Sequence, residues 1–233
     1  MRICIDSGHN YDKFDTGAVG NGLKEQNVTF EIGEKLKKLL EKRGIEVVMT
    51  RGRLTCNIGK NANDSIKERA KLANNQRCDY FISIHCNSHT NKSANGTETL
   101  VYGLGGKAEE LANKVNKSIV YALGTYGRGI KVRPDLGVLR LTDMPAILIE
   151  TAFISNEKDA ELLKNKKDVF AEAIAKGIFE HIGIKDKQMT VDEAVTLIKT
   201  KAGLEGKTME YLLGYKYGKD LVIKLAKAMD REG

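Results

Sequence analysis

The sequence predicts an α/β domain with a largely parallel sheet flanked by helices, followed by a small all-helical C-terminal module. Three observations carry that reading. Through residue 184, short β-rich runs alternate with longer runs of helical periodicity. The gaps between strands leave room for the crossover helices that parallel pairing demands. After Ile184 the strand signals stop, while helix-start patterns continue.

Ile3 and Ile5 mark a first strand that ends at Asp6-Ser7-Gly8-His9, and a polar, glycine-marked loop follows to Gly22. From Glu25 to Arg43, Val28, Ile32, Leu36, Leu39 and Leu40 recur at helical spacing, and Gly44 stops the helix. Ile45–Thr50 reads as a second strand. Ser65 with Glu68 forms a capping-box pattern for a helix to Gln76. Tyr80–His85 and Thr97–Tyr102 read as strands, and Lys107–Leu123 as a helix. Ala146–Glu150 is an apolar strand ending in a carboxylate, and Asp168–Ile182 is an amphipathic helix.

The predicted boundary follows at 184, with the α/β domain over 1–184 and a helical module over 185–233. Residues 185–188 are polar and read as a linker. Thr190 with Glu193 opens a helix to Lys201, and Thr208–Leu213 and Lys219–Met229 are further helical pieces. A unit of this size is marginal alone, so it is expected to dock on the first domain or on another copy of itself.

Composition narrows the function classes. The chain has 233 residues, 41% hydrophobic and 30% charged, which suits a globular protein rather than a disordered one. No run approaches the ~18 apolar residues of a membrane span. The net charge of +7 is mild, and positive and negative residues are interleaved. A solvated surface explains it, as does attraction to an anionic polymer. No nucleic-acid-binding motif stands out, so nucleic acid and membrane are not expected as partners. Cys4, Cys56, Cys78 and Cys86 form no CxxC pair, which points to a reducing compartment at synthesis. Met1-Arg2-Ile3-Cys4 enters a strand without an apolar h-region. The expectation is cytoplasmic synthesis, no signal peptide, and action after release by other means.

Four polar residues fall at the ends of predicted elements: His9, Glu25, His85 and Glu150. Ligands of open α/β sheets bind beyond the carboxyl ends of strands. Two imidazoles and a carboxylate make a catalytic zinc set with an open position for water. A second carboxylate can take the water proton and pass it to a leaving amine. The spacing matches no local zinc motif such as HExxH.

The surrounding residues extend this pattern. Ile5-Asp6-Ser7-Gly8-His9 with Asp15-Thr16-Gly17-Ala18, Gly22-Leu23-Lys24-Glu25, and Ser83-Ile84-His85-Cys86-Asn87 come in that order. Val138-Leu139-Arg140, Pro145-Ala146-Ile147-Leu148-Ile149-Glu150 and Phe153-Ile154-Ser155-Asn156 follow. Together they resemble the motifs of the zinc-dependent N-acetylmuramoyl-L-alanine amidases (Amidase_3 type), spread across residues 1–183. The resemblance implies a twisted α/β sheet, Zn2+ held by His9, Glu25 and His85, and Glu150 as the catalytic carboxylate. It implies peptidoglycan as substrate, cut between N-acetylmuramic acid and the L-alanine of the stem peptide. One departure is Asn10-Tyr11-Asp12-Lys13-Phe14, where the family often has a Gly-rich stretch. It bears on loop shape and substrate fit rather than on the metal.

A phage endolysin is the leading biological reading. A host autolysin or sporulation amidase shares the chemistry, and a non-catalytic wall-binding protein is the least favoured alternative. The helical module would target the wall or make homo-oligomers. Tyr211, Tyr215 and Tyr217 either stack on sugars or belong to its core. His89 is read as solvated and His181 as a helix C-terminal cation. Arg140 either partners Glu150 or holds substrate, and Asn87 either orients a ligand or caps a loop. Cys86 should alternate to the opposite face of its strand from His85.

Overall fold

A computed structural model describes residues 1–184 and 189–231 of the chain, the side chains of 230 and 231 excepted. The predicted linker at 185–188 lies outside the described residues. The chain divides into two compact units, Met1–Ile184 and Lys185–Gly233.

The first unit runs β1 (Arg2–Ser7), β2 (Val19–Gly20), β3 (Leu23–Lys24), α1 (Glu25–Glu41), β4 (Glu46–Met49), α2 (Ala62–Asn75) and β5 (Tyr80–Asn87). It continues with β6 (Thr97–Val101), α3 (Lys107–Leu123), β7 (Gly127–Val132), α4 (Gly137–Arg140), β8 (Ala146–Phe153), α5 (Glu157–Asn165) and α6 (Lys167–Ile182). Six strands form one sheet in the order β4-β1-β5-β8-β6-β7, and β2 and β3 form a separate hairpin. All neighbours in the large sheet are parallel except β6 and β8, which pair antiparallel.

Both faces of this sheet are covered, so its strands bury alternate residues in opposite directions. Ile3, Ile5, Ile82, Ile84, Ile147 and Ile149 pack with α1, α3 and α6. Cys4, Phe81, Leu100 and Leu148 pack on the other side with Ala73 of α2 and Val138 and Leu139 of α4. In α1, Val28, Ile32, Leu36 and Leu40 are at most 1% exposed, as their four-residue spacing requires. Cys86 lies in the first of these layers, opposite His85, as alternation predicts.

Several sequence expectations are corrected. The helix α2 begins earlier, because the Asn61 side chain accepts a hydrogen bond from Asp64 N–H and caps it there. Ser65 is consequently inside the helix, fully buried, and accepts a hydrogen bond from Asn10 Nδ2 instead of capping. β5 and β8 run past His85 and Glu150, with a register irregularity between His85 and Asn87. The two residues thus sit within strands rather than at their ends. His181 does lie in the last turn of α6, but its Nε2 is 3.0 Å from Tyr80 Oη and burial lowers its pKa, which works against the cation expected there. β7, α4, α5 and the β2–β3 hairpin carried no signal read from the sequence. The four cysteines are free thiols.

The second unit holds α7 (Val191–Ala202), α8 (Gly206–Leu213) and α9 (Gly218–Arg231). The Thr190–Glu193 capping box is present in both directions, Thr190 Oγ1 accepting from Glu193 N–H and Glu193 Oε2 accepting from Thr190 N–H. Ala194, Ile198, Met209, Val222 and Ala226 form its core. Among the described residues no helix is long and apolar enough to cross a membrane.

Gly177 of α6 lies close against the backbone of α3. A Cβ there would lie 2.5 Å from the Cα and 2.7 Å from the N of Val115 in α3. Gly177→Ala gains about 1 kcal/mol in helix propensity. Overpacking against fixed backbone costs roughly 1–3 kcal/mol, so a net loss of stability is expected in chemical denaturation. A stabilised variant would show that α3 and α6 can separate without penalty.

Candidate active site

Arg69 of α2 organises the site from inside the fold. It is 3% exposed, and its Nη1 lies 3.2 Å from Asp6 Oδ2 while its Nη2 lies 3.4 Å from Asp15 Oδ2. Asp6, fully buried on β1, also accepts hydrogen bonds from Ser83 Oγ at 2.7 Å and Thr50 Oγ1 at 2.8 Å. Burial alone would push the Asp6 carboxyl up. The Arg69 guanidinium and the two hydroxyls, with His85, instead hold it below its ordinary range.

Asp15 passes this order on to His9. Its Oδ1 lies 2.7 Å from His9 Nδ1. Accepting the Nδ1 proton selects, whenever the ring is neutral, the tautomer with its lone pair on Nε2. The loop between the two residues is strained, with His9, Lys13 and Asp15 at φ of 69, 70 and 56°. Asn10 pins it: fully buried, it donates to Ile58 O and accepts from Ile58 N–H. The stretch that departs from the Gly-rich pattern is therefore anchored by a buried amide.

Glu25 opens α1, where the helix N-terminus favours a carboxylate. Its Oε2 accepts from Ala18 N–H at 2.8 Å and its Oε1 from Cys86 N–H at 2.9 Å. His85 projects from β5 on the α2 face. The three side chains converge. His9 Nε2 to Glu25 Oε1 is 3.0 Å, His85 Nδ1 to Glu25 Oε1 is 3.1 Å, and the two imidazole nitrogens are 3.0 Å apart. Two glycines make room. A Cβ on Gly8 would lie 2.5 Å from His85 Nε2, and one on Gly17 would lie 2.7 Å from His9 Cδ2. Gly17 also has φ +76°, which a side chain would strain.

The electrostatics follow from this crowding. Burial opposes charge on Glu25, but the two imidazoles hold its carboxyl far below the usual range. Burial also opposes a charged His9, yet its bonds to Asp15 and Glu25 raise it to about 9. His85 is lowered, by burial first and then by His9 and Arg69, against the pull of Glu25.

Glu150 of β8 stands directly beside this set, in register with His85 on β5 and with Glu98 on β6. Its Oε2 has no hydrogen-bond partner among the described residues. Burial, then the Glu25 and Glu98 carboxylates, raise it to about 8, with His9 and Arg133 pulling weakly the other way. Arg133, held in a two-bond pair with Asp135, opposes the rise only weakly. Arg140 is exposed at the end of α4. Asn87 does cap a loop, through Ser88 N–H, and it also donates to Glu98 Oε1. Arg128 holds the other Glu98 oxygen at 2.8 Å. His89 is exposed.

The four residues singled out from sequence therefore share one place. Sequence reasoning missed Arg69, Glu98, Arg128 and Arg133, and quoted Asp6 and Asp15 without a role. Only Asp6 and Asp15 carried a signal, as polar residues inside the glycine-marked motifs.

Known proteins are similar to this chain. The family model described as N-acetylmuramoyl-L-alanine amidase matches residues 3–180. The N-acetylmuramoyl-L-alanine amidase LytC of Bacillus subtilis (strain 168) is 35% identical over 179 residues, covering 75% of this chain and 34% of that protein. The endolysin of Bacillus phage SPP1 is 34% identical over 197 residues, covering 79% of this chain and 67% of that one. The crystal structure of an N-acetylmuramoyl-L-alanine amidase from Clostridium difficile 630 superposes with a TM-score of 0.70 at 32% identity, covering 79% of this chain and 97% of that one. The chain spans about a third of the length of LytC.

Arg69→Met leaves Asp6 buried without its cation, and such a loss costs about 3–5 kcal/mol. The pH dependence has a definite sign. With its folded pKa depressed, Asp6 stabilises the parent above its ordinary value of 3.8, and that stability is lost as pH falls. In the variant the unpaired carboxyl is pushed up, and its penalty is relieved on protonation. The stability gap between parent and variant should narrow in denaturation series taken from pH 7 to pH 4. A gap independent of pH would place the defect elsewhere than at Asp6.

Proposed function

We propose that this chain, which belongs to the N-acetylmuramoyl-L-alanine amidase family, hydrolyses the amide between N-acetylmuramic acid and L-alanine in peptidoglycan. The observation that carries the proposal is the triangle of His9 Nε2, Glu25 Oε1 and His85 Nδ1, with edges of 3.0–3.1 Å. These atoms, all within 4.8 Å of one another, can hold a metal ion. A tetrahedral ion with bonds of about 2.0–2.1 Å spaces its ligand atoms about 3.3 Å apart, close to the observed edges. The donor chemistry agrees: one carboxylate and two imidazoles suit zinc. Asp15 completes the set by fixing the His9 tautomer, as partners of metal-bound histidines do.

Zinc held by His9, Glu25 and His85 supplies Lewis acidity, which lowers the pKa of water and polarises a carbonyl. The remaining work belongs to Glu150. As water adds to the amide carbonyl, Glu150 takes its proton on the unpartnered oxygen. It then donates that proton to the departing nitrogen as the C–N bond breaks, leaving a free lactyl carboxylate and a free L-alanine amine. A carboxyl raised to about 8 is suited to both transfers near neutrality. The biological setting is lysis of a bacterial wall in phage release, and a host autolysin or sporulation amidase would use the same residues.

Purified peptidoglycan should yield new L-alanine amino termini without new reducing ends, lost with chelator and restored by zinc. Glu150→Gln should lower turnover by roughly 10²–10⁴-fold while keeping one zinc per chain. Normal turnover in that variant, or cleavage insensitive to chelator, would sink the assignment. Asp15→Ala should weaken zinc binding about 10–100-fold, read by calorimetric titration.

A further inference from the structure

Arg128 is placed by an irregularity in the sheet. Along β7, Gly127 pairs with Thr97 of β6 and Gly129 pairs with Glu98, so Arg128 is an extra residue between two consecutive partners. Gly129, at φ +76°, supplies the left-handed backbone that such a bulge uses. A bulge re-aims the side chain it carries. Here it turns Arg128 toward Glu98, whose cross-strand partner is Glu150.

The guanidinium is then held from three sides. Its Nε donates to Glu98 Oε2 at 2.8 Å, and its Nη1 donates to Asn95 O at 3.4 Å. Its central carbon lies 5.0 Å from the centroid of the Phe153 ring. Nη2 makes no hydrogen bond among the described residues, and the side chain is 34% exposed. One edge of a planar fork is therefore anchored, and its end keeps donors free for a ligand.

We infer that Arg128 is a specificity-determining residue, whose free Nη2 end receives a carboxylate on the stem-peptide residue that follows L-alanine. The inference rests on the amidase reading above, which sets the scissile nitrogen at Glu150. Where the following residue is a glutamate linked through its side chain, its α-carboxylate is free. That group is five bonds from the scissile nitrogen, and an extended peptide carries it roughly 6 Å away. Directly opposed residues on neighbouring strands have Cβ atoms about 4.5–5.5 Å apart. Arg128 is bonded to the residue opposed to Glu150, so the reach of the peptide matches the step across the sheet. A fixed guanidinium fork suits a planar carboxylate better than any other group in the stem. Arg133 spends its Nε and Nη2 on Asp135, and Arg140 stands exposed at the end of α4.

The test compares two soluble muropeptides that differ only in this group, free carboxylate or carboxamide, on the zinc-loaded full chain. The parent should show a kcat/KM roughly tenfold higher for the carboxylate, the worth of one charge-assisted hydrogen bond at a partly exposed site. Arg128→Met should bring that ratio close to one, and Arg128→Lys should keep part of it. Arg140→Met should leave it at the parent value. The double variant Arg128→Met with Glu98→Gln separates binding from mere neutralisation of Glu98. It should keep the ratio close to one, since the ligand for the carboxylate is gone. Recovery of the parent ratio in the double variant would overturn the inference. So would a parent ratio near one, or a loss of the ratio in Arg140→Met. Titrating the same two compounds into the Glu150→Gln chain reads the preference as a ratio of Kd, without cleavage. Equal Kd values there would overturn the inference as well. A tenfold Kd preference with no turnover by the parent would instead sink the amidase reading and leave the role of Arg128 standing.

Discussion

A single buried guanidinium holds the catalytic end of this fold together. Arg69 comes from α2, Asp6 from β1, and Asp15 from the loop beyond it, so one cation ties a helix, the central sheet and the site rim. Removing charges from water is expensive, and the expense is met here only because Asp6 also receives two hydroxyl hydrogen bonds. The consequence reaches His9. Its ring is oriented by Asp15, Asp15 is oriented by Arg69, and a strained loop is thereby kept in one conformation. The same cation thus serves folding and site geometry, which explains why a charge is retained where an apolar side chain could have packed.

What the sequence disclosed divides along a physical line. His9, Glu25, His85 and Glu150 were legible because each sits in a short local motif, and together those motifs resemble the amidase set; periodicity alone marked them only as polar residues near the ends of predicted elements. The Thr190–Glu193 capping box was legible for the same reason, since both partners lie within one turn. Arg69 was not, because its partners are 63 and 54 residues away and nothing in its own neighbourhood marks it. Ser65 misled because its pattern was right and its context was wrong: Asn61 already capped the helix, and Asn10 required the Ser65 hydroxyl. β7 escaped because Gly127, Gly129 and two cations interrupt its alternation, so its strand character comes from pairing with β6.

Arg140 shows a further limit of local reading. It lies close to Glu150 along the chain, within the motif that suggested a role for it. The short helix α4 nevertheless carries it to the surface, where it makes no hydrogen bond or ion pair with Glu150. Chain proximity loses its meaning wherever a turn reverses the direction of a side chain.

Three carboxylates lie near the site, Glu98 and Glu150 on neighbouring strands and Glu25 at the start of α1, and their environments assign them different work. Glu25 accepts two backbone N–H groups and faces two imidazoles, so it stays ionised and suits a cation. Glu98 is matched by Arg128 and Asn87, so its charge is compensated in place. Glu150 stands in register between His85 and Glu98, has an oxygen without a partner among the described residues, and is raised by the Glu25 and Glu98 charges. Burial and repulsion therefore fall on the one carboxyl that nothing neutralises, and that carboxyl is where a proton resides most favourably. Pairs of like groups pushed apart in pKa are how a single site holds an ion and moves a proton at the same pH. Here the separation comes from ordinary sheet register: antiparallel pairing of β6 with β8 sets Glu98 against Glu150, and parallel pairing of β5 with β8 sets His85 on its other side.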